Sequence, residues 1–358
     1  MSNQYEDLVA QAFNNLGGEV PERKPKKQEP TKPDFEGEVS TLEGDSSFKA
    51  VFGIDAPSGM EHVGEVYKDS DWPEYLQAFI PDKAKFANYM PSPQKLEEYW
   101  VAYNMGDKTF ATGPTGSGKS SFFEYWCAMV RQPFLRFNCR EDMESSSIFG
   151  QMTAKDGSTH WEDGLLTQGF RDGAMLLLDE VSLMPAGISM GLQWVLEDGG
   201  KLMLTDKPGT PAEKLVEPDV RGRICMADNT RGYGDDSGAY AGTNVMNTAT
   251  LNRINTFMHF DYLDRNAEIE ILLAAYDDLT PQLAKKIVMF AELVRKNYDQ
   301  DELDHTFSPR DLLGLTKKAL YFKSFGKAVK MSWLEKFSGM EQQEAIKGHY
   351  KTVFNEDM

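Results

Sequence analysis

Short apolar segments alternate with helical patterns between residues 108 and 260. Residues 108–112, 174–178, 223–227 and 256–260 form runs of strand length, and residues 93–105 and 120–131 have helical spacing. This alternation predicts a three-layer α/β domain over residues 91–261, built around a mainly parallel sheet. Beyond residue 261 the strand pattern stops, and helices are predicted at 268–276, 281–297, 308–325 and 331–353. We therefore expect an all-helical lid domain over residues 262–358.

The first ninety residues have a different pattern. Apolar residues between Tyr5 and Leu16 recur at helical spacing, which predicts a short amphipathic helix within residues 1–18. Two interpretations stay open: the helix docks on a partner or neighbouring subunit, or it folds back on its own chain or frays. Residues 19–50 are rich in Pro, Lys and Glu, which predicts a disordered linker, and residues 51–90 read as a loop-rich segment.

Composition narrows the class of protein. The net charge of −18 and the pI near 4.8 argue against a surface built to hold nucleic acid or an anionic membrane. The three cysteines form no CxxC pair and the five histidines no metal-binding cluster, so we expect reduced thiols and no structural zinc site. No apolar run approaches ~20 residues and no N-terminal signal pattern is present, so we expect a cytoplasmic protein.

A glycine-rich segment lies between the strand predicted at 108–112 and the helix predicted at 120–131. It reads GPTGSGKS over residues 113–120 and matches the phosphate-binding loop. In such a loop, consecutive backbone N–H groups and the positive end of the following helix point at one phosphate group. Lys119 would reach the terminal phosphates, and the Ser120 hydroxyl would bind Mg²⁺. The predicted nucleotide contacts are Gly113, Pro114, Thr115, Gly116, Ser117, Gly118, Lys119, Ser120 and Ser121.

Two carboxylates, Asp179 and Glu180, follow the apolar run of residues 174–178. Carboxylates at the end of a buried strand are costly unless they serve a function. Asp179 is predicted to hold Mg²⁺ and Glu180 to polarise the attacking water; the alternative is a pair of N-cap residues for a following helix. A sugar or nucleotide kinase does not need Glu180, and the Asn-Lys-x-Asp base reader of Ras-like GTPases is absent. The pattern favours an ATPase.

Three further polar residues stand at the ends of predicted elements. Asn229 follows the strand at 223–227, where it can orient the water or contact the γ-phosphate. Arg253 precedes the strand at 256–260, and Arg310 opens a helix of the second domain. Two arginines from separate elements can neutralise transition-state charge on the γ-phosphate, although each alone also suits a surface salt bridge.

Taken in order, these motifs resemble the AAA+ ATPases. The matching segments are GPTGSGKS (113–120), RFNC (136–139), LLLDE (176–180), ADNT (227–230), LNR (251–253) and SPRD (308–311). Similarity in GLQWVLEDGGKLML (191–204) and KMSWLEKF (330–337) extends the match over roughly residues 91–354. It indicates the MoxR-type group, and within it the ATPase subunits of aerobic cobaltochelatases. Similar genes occur in tailed phages, and a phage-encoded member would act in the host cytoplasm.

The resemblance implies a role for each polar residue. Asn229 would be sensor 1 and Arg310 sensor 2, both acting within the subunit. Arg253 would be the arginine finger, reaching the ATP of the adjacent protomer, and Asn138 would restrain the catalytic Glu180 until a substrate arrives. A finger supplied in trans implies a homo-oligomeric ring, expected to be a hexamer, with ATP and Mg²⁺ as cofactors.

A first candidate interaction segment covers residues 153–161. Asp156 and Gly157 suit a tight turn, which predicts the β-hairpin insert of MoxR-type proteins; the alternative is an ordinary surface loop. Such hairpins face the ring pore or the partner in this group, so His160 and Trp161 are candidate contact residues.

Two more segments are candidates. A second hairpin is expected over residues 201–216. The Gly-rich residues 232–243, which include Tyr233 and Tyr240, are expected at the subunit interface near the ATP that Arg253 serves. The alternative is a surface loop without a partner.

The sequence therefore predicts an ATP-hydrolysing ring motor that remodels or activates a partner protein complex. MoxR-type proteins commonly act with a protein that carries a von Willebrand A domain, and the cobaltochelatase resemblance would make the partner a metal chelatase. Two alternatives are a nucleic-acid-stimulated motor, which the acidic charge disfavours, and a nucleotide-gated scaffold with little turnover. No membrane partner is expected.

Overall fold

The computed structural model describes residues 47–55, 63, 65–87, 89–230, 232 and 245–358. These residues divide into two compact units, one ending at Asp261 and the other beginning at Tyr262. The helix predicted within residues 1–18, most of the linker, and Tyr233 and Tyr240 of the Gly-rich segment lie outside the described residues. Within the described ranges, no helix is both long and apolar enough to span a bilayer.

A five-stranded parallel sheet forms the centre of the first unit, in the order β2–β5–β8–β1–β9. Strands β1 and β5 are buried at every position, which explains why the sequence shows them as continuous apolar runs. The strands of the described residues are β1 (Thr109–Thr112), β2 (Phe134–Asn138), β3 (Gly150–Lys155), β4 (Ser158–Asp163), β5 (Met175–Asp179), β6 (Leu202–Met203), β7 (Leu215–Val216), β8 (Arg223–Asp228) and β9 (Thr256–His259).

Helices cover both faces of this sheet. Successive residues of β5 point to opposite faces: Leu177 packs in one core with Tyr99 and Trp126, and Leu176 packs in the other with Leu166 and Phe170. The predicted three-layer α/β fold is therefore confirmed. The helices of this unit are α1 (Phe48–Phe52), α2 (Glu74–Gln77), α3 (Pro93–Met105), α4 (Lys119–Val130), α5 (Ser145–Phe149), α6 (Leu165–Asp172), α7 (Ala186–Leu192) and α8 (Thr248–Leu251).

The described residues before α3 also belong to this unit. Helix α1 begins at Phe48, inside the range expected to be linker, because the Ser47 side chain caps it and its apolar face is buried. The ring of Phe52 lies 4.9 Å from that of Trp126, centroid to centroid. Trp72 is buried in the core on the opposite side of the sheet. The N-terminal segment thus completes the cores of the α/β unit.

Both expected hairpins are present. Strands β3 and β4 pair in antiparallel fashion around Asp156 and Gly157, whose φ angles of 52° and 78° suit a two-residue turn with the twist of the strands. Strands β6 and β7 form a shorter antiparallel pair around residues 204–214.

The second unit is helical, with Phe290, Phe307 and Trp333 fully buried in its core. Its helices are α9 (Arg265–Ala275), α10 (Pro281–Asp299), α11 (Pro309–Phe322), α12 (Phe325–Ser332) and α13 (Met340–Phe354). The helix predicted at 308–325 is too long, because Lys323 adopts a left-handed conformation and Ser324 caps a new helix. The single helix predicted at 331–353 is wrong, since the chain leaves the helix at Trp333.

Candidate nucleotide-binding site

The glycine-rich loop occupies the carboxyl end of β1 and leads into α4. Gly113 has φ +144°, and a Cβ added there would lie 1.8 Å from the carbonyl oxygen of Phe260, just after β9. Gly118, at φ +91°, is the N-cap residue of α4 and provides no capping side chain. Because only glycine tolerates both the close approach and the positive φ, the loop backbone can curl around an anion.

Several hydrogen-bond donors of this loop have no acceptor among the described residues. Among the described residues, none accepts a hydrogen bond from the backbone N–H of Lys119, Ser120 or Ser121 at the start of α4. The Ser117 hydroxyl is buried and also lacks a partner within the described part of the chain. The first N–H groups of a helix have no acceptor within the helix, and an unmatched buried hydroxyl is unusual in a folded protein. A bound phosphate group would satisfy both. The loop therefore fits a nucleotide.

Lys119 lies almost fully buried beneath the loop. Its Nζ donates to the carbonyl oxygens of Gly113 at 2.7 Å and Pro114 at 3.0 Å, and to Oδ1 of Asn229 at 2.9 Å. Burial lowers the pKa of Lys119 to about 8, although nearby carboxylates, Asp179 first among them, act in the opposite direction. An added anionic phosphate would favour the charged form.

Asp179 ends β5 with a nearly buried carboxylate. Its Oδ2 accepts a hydrogen bond from the Ser120 hydroxyl at 2.5 Å. The same oxygen forms an ion pair with Nη2 of Arg136 at 2.6 Å. The structure thus joins the two residues that the sequence predicts as Mg²⁺ ligands. A hydroxyl and a carboxylate are oxygen ligands of the kind that Mg²⁺ prefers.

Glu180 is exposed and has a left-handed backbone, with φ 55° and ψ 44°. Such a conformation costs about 1–3 kcal/mol for a non-glycine residue, and strained residues of this kind cluster at functional sites. Its backbone N–H donates to Oδ1 of Asp179 at 3.2 Å. The side chain makes no capping hydrogen bond to the short turn of Val181–Leu183, so the geometry does not support the N-cap alternative.

The tip of β8 completes the same edge of the sheet. Asp228 is buried, and its carboxylate accepts hydrogen bonds from the hydroxyl of Ser182, at 2.7 Å, and the backbone N–H of Thr230, at 3.0 Å. These bonds fix the turn that carries Asn229 to Lys119, two residues 110 positions apart in sequence. Parallel strands bring these distant residues together because their carboxyl ends meet at one edge.

Two further predicted site residues are Asn138 and Arg310. Asn138 ends β2 opposite Asp179 in the sheet register, but its exposed side chain makes no hydrogen bond to Glu180 in the described structure. Arg310 is an exposed residue in the first turn of α11, beside the capping box formed by Ser308 and Asp311. Their roles stay predictions.

Arg253 is engaged within its own protomer. It lies between α8 and β9, where Nη2 and Nε donate to Oε1 of Glu197 at 2.8 and 3.2 Å. Nη1 donates to the carbonyl oxygen of Ala249 at 2.7 Å. In a single chain, a guanidinium that could serve a neighbouring active site is thus held by a half-exposed carboxylate.

The candidate contact residues of the first hairpin differ in exposure. His160 is exposed and its Nε2 lies 3.0 Å from the hydroxyl of Thr153 across the hairpin. Trp161 is half-buried and donates from Nε1 to Asp163 at 2.7 Å. His160 is therefore the more accessible of the two.

Three functional contacts were not predicted from the sequence: those of Arg136, Ser182 and Glu197. Arg136 had a signal of its own, because a charged residue in the otherwise apolar start of β2 stands next to the strand that carries Asp179. Ser182 lies in a short 3-10 turn and Glu197 in an irregular segment, and the positions of both depend on the tertiary fold.

Comparisons with known proteins agree with this geometry. A profile of the AAA domain (dynein-related subfamily) matches residues 109–237. The aerobic cobaltochelatase subunit CobS of a Sinorhizobium species is 25% identical over 316 residues, covering 86% of this chain and 90% of CobS. Protein CbbQ of Hydrogenophilus thermoluteolus is 30% identical over 197 residues (55% of this chain, 68% of CbbQ). Protein NorQ of Paracoccus denitrificans is 26% identical over 186 residues (51% and 63%).

The parallel sheet, the phosphate-binding loop and the AAA profile define a P-loop NTPase of the AAA+ class. The similarity to CobS, CbbQ and NorQ narrows the assignment within that class. The chain belongs to the MoxR-type AAA+ family, which confirms the resemblance found in its motifs.

Proposed function

We propose that this protein is an ATP-hydrolysing ring motor that couples hydrolysis of Mg-ATP to remodelling or activation of a partner protein complex. The hydrogen-bonded cluster at the carboxyl edge of the sheet supports this function most strongly. Lys119 bonds to Asn229 and Ser120 to Asp179, so the phosphate loop, the carboxylate for Mg²⁺ and the sensor residue meet at one place.

The loop residues bind the nucleotide. The backbone N–H groups at the start of α4 and the Lys119 ammonium bind the phosphate oxygens and neutralise their charge. Ser120 and Asp179 would hold Mg²⁺, which would supply further neutralisation of the phosphate charge. Binding the nucleotide breaks the three Lys119 hydrogen bonds, so the loop and Asn229 respond directly to occupancy.

Glu180 acts as the general base. It follows Asp179 directly, its side chain is exposed, and no hydrogen bond from another described residue engages its carboxylate. The carboxylate takes a proton from the attacking water as the water oxygen bonds to the γ-phosphorus and the bond to the bridging oxygen breaks. The proton is then available to the products. Asn229 orients the water or contacts the γ-phosphate.

Arg253 completes the site of the adjacent protomer. Its present partner, Glu197, is half-exposed, so an incoming γ-phosphate at a subunit interface competes for the guanidinium. Arg310 supplies a second cation from the helical unit, as sensor 2, and Asn138 restrains Glu180 until a substrate is present. The site therefore depends on assembly into a ring, which we propose to be a hexamer.

The partner is proposed to be a protein complex. CobS is a subunit of an aerobic cobaltochelatase, so a metal chelatase or a protein with a von Willebrand A domain is the partner class to test first. The exposed His160 on the first hairpin is a candidate contact. Purification of complexes from cells that express the full chain, compared with a chain lacking residues 1–50, would identify the partner.

Mixed rings test the composite site. Arg253→Ala and Glu180→Gln proteins should each be inactive alone, because one lacks the finger and the other the base. When the two variants are mixed in equal amounts, the order of subunits in a head-to-tail ring should be random. About a quarter of interfaces should then join an intact Glu180 to an intact Arg253 of the neighbour. Partial recovery of ATP turnover is expected.

A matched control tests whether mixing variants by itself restores ATP turnover. Glu180→Gln subunits mixed with the Glu180→Gln/Arg253→Ala double variant contain no intact interface and should stay inactive. Lack of recovery at any mixing ratio, with mixed rings shown to form, would contradict the trans finger.

A further inference from the structure

Arg136 has a contact that the proposed catalytic cycle does not use. Its Nη2 lies 2.6 Å from Oδ2 of Asp179, the oxygen that also accepts the hydrogen bond from Ser120. The Asp179 side chain is only 6% exposed, whereas that of Arg136 is 49% exposed. A nearly buried anion is thus paired with a cation that reaches it from the solvent side.

Asp179 needs such a partner. A carboxylate removed from water is costly unless a charge or several hydrogen bonds compensate it. Lys119 is directed to carbonyl oxygens and Asn229, and among the described residues Arg136 is the cation that forms an ion pair with Asp179. The site therefore contains a counter-ion for Asp179 within its own chain.

Magnesium requires the same carboxylate. A guanidinium nitrogen 2.6 Å from Oδ2 occupies the space beside this oxygen and adds a positive charge that repels a second cation. Arg136 lies on β2, the edge strand of the sheet, and its half-exposed side chain has solvent to move into. The pair can therefore open without disturbing the core.

We propose that Arg136 is a positioning residue that holds Asp179 in the metal-free protomer and is displaced when the divalent cation binds. Arg136 thereby sets the concentration of divalent cation that the site requires. This inference rests on the proposed Mg-nucleotide function of the site. Strand β2, which carries Arg136, would thereby influence how readily the site binds a divalent cation.

Metal binding can be measured without turnover. The probe is Mn²⁺, followed by electron paramagnetic resonance with purified full-length protein and a non-hydrolysable ATP analogue. In Arg136→Gln, the Mn²⁺ concentration at half-saturation should fall about three- to tenfold, because no guanidinium competes for Asp179. The melting temperature of the metal-free, nucleotide-free variant should fall, because Asp179 loses its counter-ion.

A matched variant controls for the change in net charge. Arg140 lies two residues beyond β2 and pairs at 3.2 Å with Asp142, both largely exposed. Arg140→Gln should leave the Mn²⁺ half-saturation unchanged. Arg136→Lys keeps the positive charge on a shorter side chain and should lower the Mn²⁺ concentration at half-saturation by an intermediate factor. This variant also tests the proposal if Arg136→Gln does not fold.

The outcomes separate this inference from the proposed function. Unchanged or weaker Mn²⁺ binding in both Arg136 variants, with normal binding in the wild type, would overturn the role of Arg136 alone. Failure of the wild type to bind Mn²⁺ with the nucleotide would overturn both. An equal shift in Arg140→Gln would reduce the effect to general electrostatics and would also overturn the inference.

Discussion

Replacing Gly113 by alanine should break the phosphate loop through a single backbone contact. The new Cβ would lie 1.8 Å from the Phe260 carbonyl oxygen, whereas such an atom needs at least 3.0 Å, so the loop or the end of β9 must move by about 1.2 Å. The obstacle is backbone, which cannot rotate away, and the φ of +144° adds strain for any residue with a Cβ. The two effects together should cost about 2–5 kcal/mol of unfolding free energy.

The same substitution should also weaken nucleotide binding. Thr112 and Phe260 are joined by a backbone hydrogen bond of 2.7 Å, so movement of β9 displaces the residue that leads into the loop. Displacements of this size misplace groups that must bind a phosphate together, and the dissociation constant of a fluorescent ATP analogue should rise about ten- to hundredfold. Equilibrium titration under conditions where the variant remains folded measures this change.

A second glycine provides the control. Gly187 lies in α7, and a Cβ added there meets nothing within 4 Å. Gly187→Ala should bind the analogue normally and be as stable as the wild type or slightly more so. If Gly113→Ala matched Gly187→Ala in both urea unfolding and nucleotide affinity, the close approach to Phe260 would not be what constrains the loop.

Two further predictions concern ion pairs. Arg295 is buried and donates to both carboxylate oxygens of Glu268, at 2.8 and 2.9 Å, so Arg295→Met should lower the unfolding free energy by about 3–5 kcal/mol at pH 7 in urea titrations. Burial raises the pKa of Glu268, and the loss of Arg295 should raise this pKa further. The stability deficit of Arg295→Met should therefore shrink as the pH falls and the Glu268 carboxyl takes up a proton. A deficit that grows as the pH falls would refute the role of this ion pair. Glu197→Gln releases Arg253 within the protomer and should raise ATP turnover about two- to fivefold at limiting protein concentration, whereas a decrease would mean that Glu197 orients the finger rather than competing for it.

The local parts of the site could be predicted from the sequence. The phosphate loop needs glycines at fixed spacing between a strand and a helix, and Asp179 follows an apolar run long enough to mark a buried strand. Each signal lies within about ten residues, where periodicity and turn chemistry determine the structure. The three-layer fold followed from the same alternation.

Contacts between distant residues could not be predicted in this way. Glu197 and Arg253 are 56 positions apart. Their pairing depends on how the irregular segment that carries Glu197 packs against the core of the α/β unit. The ion pair of Arg136 with Asp179 requires the order of the strands, which periodicity does not provide. Such pairings are properties of the tertiary structure.

The error near the C-terminus has a different cause. Apolar residues continue at near-helical spacing through 331–353, but Trp333 is fully buried in the core of the second unit just where α12 ends. Packing of this large side chain outweighs the continuation of the helix. Gly339, the N-cap residue of α13, is a boundary signal that the spacing alone obscured.

We propose that this site hydrolyses ATP with Glu180 as the base. The most direct measurement is the steady-state release of phosphate by wild-type protein and by Glu180→Gln, with binding of a fluorescent ATP analogue measured on the same samples and Lys119→Ala as the variant that does not bind. We expect Glu180→Gln to bind the analogue within about threefold of wild type and to release phosphate at least about a hundredfold more slowly. Wild-type turnover in Glu180→Gln would contradict this proposal.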